Sequence, residues 1–113
     1  MSEIEAEMLI QLALGKEDLG MREDGINILS GVLDAYEENE VMMTSVKAEI
    51  YMWTVDNIIG MLGRNGEYET AIIVADKACK LAYRNDAADY LVSYLYKKLQ
   101  TEEQVKLQKG ESL

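Results

Sequence analysis

Apolar residues recur along most of this chain at steps of three and four, the spacing that lines one face of a helix. Residues 4–14 carry the first such stripe, behind Ser2 and Glu5, whose S-x-x-E spacing is that of a capping box. Gly15 and Gly20 bracket a polar turn, KEDLG. Ile26, Leu29, Val32, Leu33 and Tyr36 form a second stripe that runs into EENE. Residues 46–62 predict a long helix closed by GRNG, residues 68–83 another closed by RND, and residues 88–99 a fifth. Thr101 and Gln104 repeat the capping spacing and predict a short sixth helix that frays before Gly110. Residues 90–96, rich in tyrosine and valine, come nearest to a strand, but Lys97, Lys98 and Leu99 continue the helical stripe. The fold class is therefore all-α. Connections this short make consecutive helices antiparallel neighbours, so the chain reads as a row of helical hairpins.

Residues 65–79, NGEYETAIIVADKAC, show how two such helices would meet. Antiparallel helices approach closely only where side chains are small, and Ala71, Ala75 and Ala78 provide that on one face. Gly66 can take the left-handed backbone that reverses the chain. With Ile58 and Leu62 on the preceding helix, this order of residues resembles a tetratricopeptide repeat. From Ala71 to Val105 is 34 residues, the repeat length of that family, and this register places Val92, Ser93 and Tyr96 on a third first-helix. Upstream, Gly20, Gly25, Leu29 and Val32 correspond to Gly66, Ala71, Ala75 and Ala78 at a separation of 46, an excess of 12 assigned to the region of Glu38 to Lys47. Val55, Ile59 and Tyr83 depart from the family's Trp, Gly and Pro.

The resemblance implies a right-handed α-solenoid of about three antiparallel helical hairpins. It forms a single domain over residues 1–113, with repeats near 6–39, 46–84 and 86–110. The phrase LGRNGEYETAIIVADKACKLAYRND is further similar to the helical sensor half of Gram-positive helix-turn-helix transcription regulators, whose repeats bind short peptides and dimerise. No basic recognition helix is present in this sequence.

In such arrays the first helices line the concave face, which would receive a peptide or protein segment. On the third predicted helix, at ~100° per residue, Tyr51, Val55, Ile58 and Leu62 form one stripe, assigned to the core. Trp53, Asp56, Gly60 and Arg64 lie on the opposite one. An aromatic anchor beside charges resembles an interaction hot spot, although Trp53 packed under a neighbouring hairpin is an equally physical account. Tyr90, Tyr94 and Lys97 extend the candidate groove on one side, and Ile10 and Leu14 on the other. Gly60 and Gly63 would admit a ligand backbone, or else serve close packing or helix ending, the reading favoured for Gly63. Met42, Met43, Met52 and Met61 offer an adaptable apolar surface. The apolar ends of a short stack predict a homodimer.

Composition narrows the chemistry. With 21 acidic and 11 basic residues the formal net charge is -10, which opposes direct binding to nucleic acid or anionic lipid. The acidity itself is accounted for by a soluble helical surface or by attraction for a cationic partner. Proline and histidine are absent, so the commonest general base and metal ligand is missing, and no metal or cofactor is expected. Cys79 is the lone cysteine, placed mid-helix beside a packing stripe, and reads as structural. No phosphate loop and no bilayer-length apolar run occurs. The expectation is a cytoplasmic, non-enzymatic binding module, either the peptide-sensing part of a regulator or a purely structural dimerisation domain.

Overall fold

The computed structural model describes residues 1–38 and 45–110. Among these residues the chain is all-helical, with α1 at Glu3–Asp18, α2 at Arg22–Glu38, α3 at Ser45–Arg64, α4 at Tyr68–Arg84 and α5 at Ala88–Gln108. No strand occurs among them, and no helix is long and apolar enough to cross a membrane. Each helix packs on the next in sequence, α1 also touches α3, and α3 touches α5 along a thinner seam. The molecule is a slab of 43 × 37 × 18 Å, about two helix diameters thick.

Three of the connections are closed by the same backbone device. The amides of Met21, Glu67 and Ala87 each reach back to the carbonyl five residues earlier, on Lys16, Leu62 and Ala82, at 2.8, 2.8 and 2.9 Å. The residue before each amide has positive φ: Gly20 at 80°, Gly66 at 77° and Asp86 at 55°. These are Schellman turns, in which a left-handed residue lets the chain cap its own last carbonyls. Gly20 and Gly66 hold the positions expected of turn glycines, whereas at the third turn an aspartate accepts a conformation that glycine adopts freely.

The core follows the predicted stripes. Tyr51, Val55, Ile58 and Leu62 are buried, as are Ala71, Ala75 and Ala78 on α4 and Gly25, Leu29 and Val32 on α2. Gly25 marks a close helix approach, since a Cβ there would stand 2.9 Å from the carbonyl oxygen of Ala13 and 3.1 Å from the Met61 sulfur. Ser2 closes α1 with the full capping box to Glu5.

Two local expectations fail. Thr101 opens no sixth helix: α5 runs through it unbroken, and its hydroxyl donates to the Lys97 carbonyl at 2.8 Å, satisfying itself inside the helix. Met61 lies fully buried in the core rather than on an adaptable surface, and Met52 is half-buried. Met42 and Met43, and most of the region assigned the extra 12 residues, lie outside the described residues.

Gly66→Ala places a Cβ in open space but at positive φ, so its cost is backbone strain alone, about 1 kcal/mol. Asp86→Gly relieves such strain and stabilises by about 0.5 kcal/mol after glycine's extra unfolded-state entropy. Urea melts of the two variants against the parent check both signs.

Candidate functional site

The charged residues of the candidate stripe meet partners on other helices. Arg64, in the last turn of α3, folds back over Gly60: a Cβ at Gly60 would lie 3.1 Å from its guanidinium. Its Nε and Nη2 donate to the two carboxylate oxygens of Glu17 on α1 at 2.8 and 2.7 Å, a fork-to-fork pair. Arg22, opening α2, donates from Nε to the same carboxylate at 2.8 Å and from Nη1 to the Arg64 carbonyl at 3.0 Å. The Glu17 side chain is 16% exposed, and its bond from Arg64, helped by Arg22, holds its carboxyl below the ordinary range against the opposing effect of burial. Gly60 therefore makes room for an arginine of its own chain.

Asp56, two turns earlier on α3, pairs with Lys97 of α5 at 2.8 Å. The adjacent Lys98 pairs with Asp76 of α4 at 2.9 Å, so successive lysines tie α5 to two different helices. Tyr94, one turn before these lysines on α5, is fully buried, edge-on to Tyr51 at 6.0 Å and stacked with Tyr90 at 6.4 Å. Burial, reinforced by the Asp56 charge, pushes the Tyr94 hydroxyl far above the phenol range. Tyr51 donates to the Glu37 carboxylate at 2.6 Å, and its own ionisation is likewise suppressed, chiefly by burial. Burial also raises the Cys79 thiol, which leaves it a poor nucleophile.

Of the nine candidate residues, Ile10 and Tyr94 are core side chains with no exposed surface. Leu14, Trp53 and Tyr90 are half-buried and pack against the core. Asp56 and Lys97 come together as a pair, and Gly60 and Arg64 come together at the mouth of a groove between α3 and α5. That groove has a volume of about 400 Å³, and Ile59, Gly63, Tyr68, Gln100, Thr101 and Gln104 complete its lining. The Asp56–Lys97 pair joins the two helices, and Gly60 on α3 shares the lining of the groove with Gln100 and Gln104 on α5.

Sequence reasoning missed Gln100, Gln104 and Tyr68. Gln100 falls between the predicted fifth and sixth helices, Gln104 reads as part of a capping pattern, and Tyr68 as the start of a packing helix. Once α5 is continuous, the one-turn spacing of Gln100 and Gln104 puts both amides on the face toward α3.

No known family model, curated protein or solved structure matches the chain.

Replacing Glu17 by Gln removes the ionic partner of two arginines. Because the Glu17 pKa is lowered in the folded state, its contribution is complete above the unfolded value near 4.5 and fades as pH falls through the folded value. Glu17→Gln should cost about 1 kcal/mol at neutral pH, and the gap to the parent should narrow as pH falls through the lowered folded value. Paired denaturation curves across that range give the result directly.

Proposed function

We propose that the chain is a tetratricopeptide-like interaction module that binds an extended peptide or protein segment along the α3–α5 groove. The observation that carries this reading is the groove itself. It offers amide side chains able to both donate to and accept from a peptide backbone, an aromatic ring, and two glycines at the wall.

On this reading α1, α3 and α5 are the first helices of three hairpins, of which the third lacks a described second helix. The Asp56–Lys97 pair and the shared groove lining bring α3 and α5 side by side, as expected of equivalent helices in neighbouring repeats. α2 and α4 then form the outer layer of a right-handed solenoid. Trp53 and Tyr90 stand at the Asp56–Lys97 end of the seam, with aromatic surface still partly open. The charge of -10 speaks against nucleic acid as the occupant. The role inferred from the family likeness is ligand sensing in the cytoplasm as part of a transcription regulator, with DNA contact made by another segment or subunit.

Native mass spectrometry of the protein purified gently from its own cells should show the chain mass plus that of a short peptide. The double variant Gln100→Ala, Gln104→Ala should lose that added mass while keeping its far-UV circular dichroism. A peptide retained by the double variant would remove the groove from consideration. Trp53→Ala, at a half-buried position, should cost about 2 kcal/mol in stability, less than the loss of a fully buried tryptophan.

A further inference from the structure

The outward face of α1 is apolar and uncovered. Ile4, Met8 and Leu12 are 70, 67 and 50% exposed, at steps of one helical turn. The line continues over Gly15, where a side chain would meet open space, to Leu19 at 77% exposure. Ala6, Ile10 and Ala13 are fully buried on the opposite face, so the stripe cannot roll inward. From Ile4 to Leu19 it runs about 22 Å, the length of a four-turn helix.

The charge around this stripe is one-signed. Residues 1–38, spanning α1 and α2, hold ten acidic side chains and two basic ones, a net of -8 against -10 for the whole chain. The Glu17 carboxylate is already taken up by Arg22 and Arg64, and that corner stands apart as a closed cluster. At ~100° per residue, exposed Glu5 borders the stripe on one side, and exposed Glu7 and Asp18 border it on the other. Lys16 stands beside the far end, so attraction for a cation is strongest over the first two turns of α1. Charge of this sign repels nucleic acid and anionic lipid, and it sets two copies of this face against each other. A small polycation would leave the apolar stripe unused. An extended peptide would find no backbone groups along the middle of a helix to pair with, whereas a helix satisfies its own.

We propose that the outward face of α1 docks a cationic amphipathic helix of another protein. The apolar stripe of that helix lies along Ile4, Met8 and Leu12 and comes closest over Gly15, while its flanking lysines or arginines face Glu5 and Glu7. Exposed methionine suits such a surface, because an unbranched thioether repacks around partners of differing shape. Ile4, Met8 and Leu12 take no part in lining the α3–α5 groove, so this is a second binding surface and does not rest on the first.

Calorimetric titration of the whole chain with a synthetic helical peptide of leucine and lysine in amphipathic order tests this. The peptide should bind in the micromolar range and more weakly as salt is raised. Two control peptides, one scrambled to abolish the apolar face and one with glutamate in place of lysine, should each bind at least about tenfold more weakly. The double variant Met8→Gln, Leu12→Gln, at exposed positions, should lose at least about tenfold in affinity with unchanged circular dichroism. Glu7→Lys should flatten the salt dependence. Val92→Gln with Leu99→Gln, on the exposed apolar face of α5, should change affinity by less than about twofold. No binding, equal binding of the scrambled peptide, or indifference to the Met8 and Leu12 changes would each overturn the proposal. So would self-association of the parent that these two changes abolish, since the occupant would then be a second copy. Loss of the bound peptide mass in the glutamine double variant reports on the groove alone, so the two surfaces are tested independently.

Discussion

The packing of α3 governs the rest of the molecule. It is the one described helix that touches all four others, and it meets them with different parts of its surface. Ala48, Tyr51, Val55, Ile58 and Leu62 are buried along one stripe, and so are Ile50, Thr54 and Met61, which lie to one side of it around the axis. A helix buried on so much of its circumference cannot be strongly one-sided in sequence. The buried Thr54 hydroxyl is accommodated because it donates to the Ile50 carbonyl at 2.8 Å. Every other helix then needs only one committed face, and α1 and α5, at the two ends, keep apolar residues on the side turned from α3.

Small residues set how close the neighbours come. Ala71, Ala75, Ala78 and Ala82 bring α4 in, while Gly25 brings α2 against α1 at a distance that even a methyl group would contest. At these separations the charged side chains at the helix ends can reach across. Glu17 collects both Arg22 and Arg64 and so links α1, α2 and α3 near one edge of the slab. Lys97 and Lys98 do the same for α3, α4 and α5.

Much of this was legible in the residues. Helical periodicity located every described helix, the turn glycines at 20 and 66 were identifiable, and the α3 core stripe is buried as its spacing required. What escaped was whatever depends on a partner distant in sequence. Asp56 and Arg64 looked like ligand-facing charges because they share the stripe of Trp53, opposite the core stripe of α3. Their partners are 41 and 47 residues away, on α5 and α1. Tyr94 shared the candidate face by spacing, yet the close approach of α4 and α5 encloses it. Thr101 and Gln104 carried a valid capping pattern, but a cap requires a chain break before it, and the helix arriving from Ala88 supplied none. The Asp86 turn was legible only as polar residues between helices, since aspartate signals left-handed backbone far more weakly than glycine does.

The sequential packing of the helices has a kinetic consequence. When each helix rests mainly on its predecessor in the chain, most contacts close short loops, and such low contact order belongs to chains that fold in microseconds to milliseconds. Protection against hydrogen exchange should then be graded through the slab rather than uniform. The amides of α3, which packs against all four other described helices, open only with the whole domain. Those of α5, held by α4, a thin seam to α3 and two lysines, open first, so the molecule is built to loosen from its C-terminal edge while its centre stays folded.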